Sequence, residues 1–165
     1  MIKVSQLFAA IFLATATVTS TVGASAQQPS QVATVIGQGN KASVEKSFQQ
    51  WQDGEGSPFS LLSEDVRWTI SGSNRFAGTY ERGPFIKDLV EPFSKRLKEP
   101  LKPTRWDVYE DGNVVIIRFD AEAPLINGEQ YRNSYAWFFT FRDREVTRVT
   151  AYLDMPAFEA VMDMP

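Results

Sequence analysis

Apolar residues recur along this chain at two periods, and the change from one to the other divides it. Val44, Phe48 and Trp51 fall at i, i+4 and i+7, which places them on one stripe of an α-helix. Asn40 or Ser43 can cap that helix, and Asp53-Gly54-Glu55-Gly56 ends it. Residues 58–63 can form one short helical turn carrying Phe59, Leu61 and Leu62. A strand is predicted over 66–71, with Val66, Trp68 and Ile70 on one face, and a loop over 71–78. Pro84 then starts a second helix at a position that tolerates proline. Its apolar stripe is Phe85, Leu89, Val90, Phe93 and Leu97. Pro92 lies within this run. It lacks a backbone donor and crowds the preceding turn, so a kink or two abutting helices are expected.

Past residue 103 the period falls to two. Strands are predicted over 104–110, 113–123, 130–141 and 146–154, with hairpin turns at Asp111-Gly112 and Asn127-Gly128. Residues 156–162 can close the chain with a short helix carrying Phe158 and Val161. Helices first and antiparallel strands after them predict an α+β domain with helices packed on one face of the sheet.

The first residues follow another pattern. Lys3 is the only charge before residue 27, an apolar run extends from Leu7 to about Ala16, and Ala24-Ser25-Ala26 precedes Gln27. These are the parts of a signal peptide, so cleavage after Ala26 and a secreted or periplasmic location are expected. The apolar run is too short and too broken by threonine to span a bilayer, so no membrane association is expected after cleavage. Residues 27–39 are polar, uncharged and carry Gly and Pro, which predicts a flexible leader. The domain then occupies 40–165.

Composition narrows the chemistry. The chain holds no cysteine and no histidine. Thiolate nucleophiles, His-dependent triads and Cys- or His-ligated metal sites are therefore excluded. A catalytic group must be a carboxylate, Tyr, Lys, Ser/Thr or Arg. The net charge is −3 with no basic run, which argues against nucleic acid as a partner. No phosphate-binding glycine motif occurs, and no cofactor or metal is predicted.

The order of elements resembles the nuclear transport factor 2-like superfamily, in particular its SnoaL-like branch. Glu64-Asp65-Val66-x-Trp68-x-Ile70-x-Gly72 resembles the family's first strand, and Gly78-Thr79-Tyr80-Glu81-Arg82-Gly83 its loop before the second helix. Asn133-x-Tyr135-x-Trp137-x-Phe139-x-Phe141, followed by Val146 and Tyr152-Leu153-Asp154, resembles its last two strands. The match spans about residues 41–163. It implies a cone-shaped, cystatin-like roll: a curved antiparallel sheet whose concave face holds the N-terminal helices and a pocket. It also implies a homodimer formed through the sheet. One departure is plain. The last hairpin turn, Asp143-Arg144-Glu145, has no glycine, so it needs another geometry or a non-glycine residue at positive φ.

Two sets of residues are candidates for function. Arg118, Asp120 and Glu122 alternate with Ile117, Phe119 and Ala121, so the three charges share one face of a strand. They form either a solvated charge row or a charged pocket wall. Arg118-x-Asp120 resembles the Arg-x-Asp pair of limonene epoxide hydrolases, which implies a base aspartate at Asp120, with Glu122 as the remaining same-face acid. The resemblance is incomplete, because Ala151, Trp68 and Ile70 stand where that family has its second aspartate, tyrosine and asparagine. The ketosteroid isomerase positions are filled here by Ile70, Phe48 and Ser134. The second set is aromatic. Phe48, Trp68, Tyr135 and Tyr152, with Asn133, can surround a small hydrophobic molecule, with Asn133 and Tyr135 orienting it by hydrogen bonds. Trp137 and Phe139 are read as a sheet side available to a second subunit. Three readings follow: a pocket protein binding a small hydrophobic ligand, a hydrolase or isomerase using Asp120, and a dimeric interaction module.

Overall fold

A computed structural model describes the backbone of residues 29–165 and the side chains from residue 39 onward. The expected signal segment lies outside these residues. Helix α1 spans Pro29–Asp53. It begins well before Asn40, so the stretch read as a flexible leader is helical backbone from Pro29 on. Proline is compatible with a first helical position, and Gly37 and Gly39 each cost only about 1 kcal/mol relative to Ala within a helix. A 3-10 turn at Pro58–Leu61 follows, capped by the Ser57 hydroxyl, which accepts from the Phe59 amide at 3.2 Å.

Six strands form one sheet: β1 Leu62–Ile70, β2 Gly78–Glu81, β3 Lys102–Asp111, β4 Val114–Pro124, β5 Gln130–Arg142 and β6 Glu145–Leu153. Their order is β2-β1-β6-β5-β4-β3. The sheet is curved and unclosed. It is mixed rather than wholly antiparallel, because β1 lies parallel to β6 while every other pair is antiparallel. The long connection from β1 through the helices makes that parallel neighbour possible, since only hairpins force antiparallel pairing. β2 occupies part of the segment read as a loop before the second helix, and pairs Tyr80 with Trp68.

Between β2 and β3 the chain is helical from Arg82 to Ser94: α2 Arg82–Phe85, a π turn Ile86–Val90 and α3 Glu91–Ser94. This is how the kink expected at Pro92 is resolved. The Glu91 amide bonds to the Ile86 carbonyl, five residues back. The wider turn places Pro92 in the first turn of a new α segment, where no donor is required. Helix α4, Met155–Met162, closes the fold.

The helices lie on one face of the sheet, with α1 against β3 and β4, α2 against β1, and α4 against β5. Alternation decides which side chains meet them. Val115, Ile117, Phe119 and Ala121 of β4 are buried on that face, as are Tyr135, Trp137 and Phe139 of β5. In β6 the alternation skips one residue. Thr140 pairs with Arg148 but Phe141 with Val146, so Thr147 is bulged and both Val146 and Val149 turn inward.

Candidate functional site

The helix-bearing face does not close over completely. A cavity of about 480 Å³ opens between the sheet and the helical layer. Trp68 and Ile70 of β1, Trp137 of β5 and Ala151 of β6 form its floor, and Phe85, Leu89 and Phe93 of the helical run cover it. Trp51, Phe59 and Phe158 complete the walls, and Ser94, Lys98, Glu99 and Pro100 stand exposed at its rim. Among the described residues, Lys98 and Glu99 are the only formally charged ones along the lining.

The walls are aromatic and mutually braced. Trp68 stacks on Phe85, with centroids 4.2 Å apart and planes at 16°. Trp137 meets Trp68 edge-on at 5.0 Å and Phe119 edge-on at 4.7 Å. It also lies nearly parallel to Trp51 and Phe59, each 6.3 Å away. Such contacts hold ring planes in fixed orientations, so the surface offered to a ligand is preset.

One polar network borders this apolar space. The Asn133 amide nitrogen donates to the Tyr131 hydroxyl at 2.7 Å and to the Asp154 carbonyl at 2.9 Å. Its carbonyl oxygen accepts from the Asp154 amide at 2.9 Å. The Tyr131 and Tyr135 hydroxyls are 2.8 Å apart. Burial pushes both phenols above the usual tyrosine value, Tyr135 well above it, so both keep their protons at neutral pH. Asn133 thus ties β5 to the start of α4, where Asp154 caps the helix by accepting from the Ala157 amide.

The structure divides the expected ligand-binding residues. Trp68 and Tyr135 line the cavity. Phe48 is fully buried behind it, in edge contact with Trp51 and Phe119, and supports the wall without forming part of it. Asn133 has its hydrogen bonds committed to the protein, so it positions α4 and is not free to orient a ligand. Tyr152 is a correction. It is 50% exposed and packs on Phe138 of the opposite sheet face, because Ala151 and Leu153 take the inward positions on either side of it. Trp137 and Phe139 are also corrected, since both are buried on the helix-bearing face. Trp51, Phe59, Phe85, Leu89, Phe93 and Phe158 reach the cavity without having been singled out. Their helical spacing marks them as buried, but no periodicity tells a packed core position from one beside a void.

Arg118, Asp120 and Glu122 do share a face, but it is the one turned away from the helices. They do not wall the aromatic cavity, as expected of a charged pocket wall, but border a separate, open polar concavity of about 460 Å³ on the outer face, with Arg105, Arg132 and Ser134. Phe119 and Ala121 take the inward positions, and two-residue alternation sends the three charges outward. There they form a ladder across β3, β4 and β5. Asp120 accepts from Arg105 at 2.7 Å and from Ser134 at 2.7 Å, and Arg118 approaches it to 3.5 Å. Arg118 also faces Asp107 at 3.8 Å, and Arg132 pairs with Glu122 at 3.1 Å. The Ser134 hydrogen bond, aided by Arg105 and Arg118, holds the Asp120 carboxyl below its usual range, which makes it a weak base. No cluster of three or more acidic residues able to hold a metal occurs among the described residues, and no helix there is long and apolar enough to cross a membrane.

No protein-family model and no curated protein matches this sequence. Solved structures do match. An NTF2-like protein of unknown function from Burkholderia pseudomallei is similar with a TM-score of 0.61 and 14% identity, covering 76% of this chain and 98% of its own. TerC, co-crystallised with polyporic acid, gives 0.58 and 20% over 76% and 98%. A protein of unknown function with a cystatin-like fold from Xanthomonas campestris gives 0.58 and 19% over 74% and 97%. Together with the curved six-stranded sheet and its helical cover, these likenesses establish that the chain has an NTF2-like fold.

Proposed function

We propose that this protein binds a small, flat, hydrophobic molecule in the cavity between the sheet and the helical run. The observation that carries this reading is the lining: an open space of about 480 Å³ walled by stacked and edge-on rings, with its charges confined to the rim. Ligand sites commonly have volumes of roughly 300–1,000 Å³, mostly apolar walls and a few placed polar groups. A neighbour of the same fold, TerC, was crystallised with polyporic acid, which accords with a small-molecule role. Among the described residues, the lining inward of Lys98 and Glu99 carries no carboxylate, lysine or arginine to act as a strong acid or base, which favours binding over catalysis. Asp120, Arg118 and Glu122 take no part in it.

A thermal-shift and native mass spectrometry screen against terpenoids, steroids and aromatic polyketides tests the proposal. A binder present at a hundred times its Kd should add about 2.7 kcal/mol of stability and appear as a one-to-one adduct. Failure of all three classes to bind would remove the reading.

Two subsidiary proposals accompany it. Export with cleavage after Ala26 predicts a mature chain that begins at Gln27 on N-terminal sequencing. Homodimerisation would use the outer sheet face, where Phe138 and the exposed Tyr152 lie 5.8 Å apart. Sedimentation at micromolar concentration checks it, and a monomer there would count against it.

A further inference from the structure

The polar network beside the cavity has one proton more than its internal acceptors use, and that surplus says something about the ligand. The Tyr131 oxygen already accepts from Asn133. The 2.8 Å contact between Tyr131 and Tyr135 can run in either direction, and each direction leaves one hydroxyl proton over. If Tyr135 donates, the spare proton sits on Tyr131. That residue is 3% exposed, does not line the cavity, and is packed among Phe93, Leu125, Phe158 and Val161. An unpaired O–H among hydrocarbon is costly. If Tyr131 donates, the spare proton sits on Tyr135, which does line the cavity. The second arrangement takes the spare donor off a residue sealed in hydrocarbon and puts it on one that borders the cavity.

We infer that the Tyr135 hydroxyl is a directed hydrogen-bond donor to the bound molecule, and that the natural ligand is a flat apolar compound carrying an acceptor oxygen, such as a ketone or quinone carbonyl. This rests on the binding reading above and narrows its ligand class. Tyr135 is held for that task from two sides. Its ring stacks on Phe119 with centroids 4.6 Å apart and planes at 9°, and Asn133 fixes Tyr131, which in turn fixes its hydroxyl.

Two probes of the same shape test it: fluorene, and 9-fluorenone, which differs by a carbonyl. The wild-type protein should bind 9-fluorenone about tenfold more tightly, the worth of one hydrogen bond to a donor otherwise left unpaired. Infrared spectra of bound 9-fluorenone should show its C=O stretch moved to lower frequency than in an alkane solvent. Tyr135→Phe should bring the two affinities together and remove the shift. Tyr131→Phe should keep the preference, since Tyr135 retains its proton. Equal affinities in the wild type, or a preference and carbonyl shift that survive Tyr135→Phe, would overturn this inference and leave the cavity reading standing. Binding of neither probe would remove both. Should Tyr135→Phe fail to fold, an unshifted carbonyl in the wild type is enough to refute the donor.

Discussion

Trp137 stands opposite Ala151 across the β5–β6 ladder, and Ala151 in turn lies beside Ile70 of β1. The row Ile70–Ala151–Trp137 is therefore large, small, large. The missing volume at its centre, under the stacked Trp68–Phe85 pair, is part of the cavity floor. Ala151→Leu should fill that space. Binding of a flat aromatic probe, followed by quenching of tryptophan emission, should weaken at least about tenfold. Stability should change by less than the roughly 1–3 kcal/mol usual for overpacking, because the added methyl groups enter a void. A large loss in chemical denaturation with binding intact would show that the void is absent.

Asn133 is expected to be structural. Asn133→Ala removes the donations to Tyr131 and Asp154 and the acceptance from the Asp154 amide. Urea denaturation should show a loss of about 2–4 kcal/mol, since buried partners are left unpaired. Amide exchange should quicken first in Met155–Met162, the helix this residue anchors.

The β5–β6 turn carries the strain that its sequence announced. Arg142 pairs with Glu145 across two residues, Asp143 at φ 53° and Arg144 at φ 70°. Positive φ at both centres is the two-residue turn that suits a twisted hairpin, and a bulky side chain there costs about 1–2 kcal/mol. Arg144→Gly should recover about 1 kcal/mol of this in thermal denaturation, with ligand binding unchanged. A fall in melting temperature would mean that Arg144 makes a compensating interaction.

Acid should act through the outer charge ladder. With its folded pKa held below the ordinary aspartate value of 3.8, Asp120 contributes stability that is fully present above that pH and is lost as pH falls through the lower, folded value. Asp65, lowered chiefly by the Ser63 hydroxyl and then by Arg142, behaves in the same sense. Stability of Asp120→Asn should therefore depend less on pH below 4 than that of the wild type. Probe binding between pH 5 and 8 should be the same in both, because the ladder and the cavity lie on opposite faces of the sheet. An affinity lost with Asp120→Asn would place this carboxylate at the site after all.

Much of this architecture was legible because burial writes a period into sequence. The stripe Val44, Phe48, Trp51 and the alternation through Val115, Ile117 and Phe119 both mark a single inward face, and all six residues face the helix–sheet interior. Alternation does not say which of two faces looks inward when both carry plausible cargo. The charges of β4 were available for a pocket wall until the packing of Phe119 and Ala121 against the helical side put them outside. The parallel partnership of β1 and β6 was invisible for another reason, since strand order depends on where the intervening helices carry the chain. The cavity has the small Ala151 in its floor, and a small residue within a strand reads the same whether its neighbours fill the gap or leave it open.

The most direct test is a crystal structure grown with 9-fluorenone. The molecule should lie in the cavity with its ring plane against the Trp68 and Trp137 indoles. A cavity closed by repacked side chains, or the compound bound on the outer sheet face beside Phe138 and Tyr152, would contradict the account.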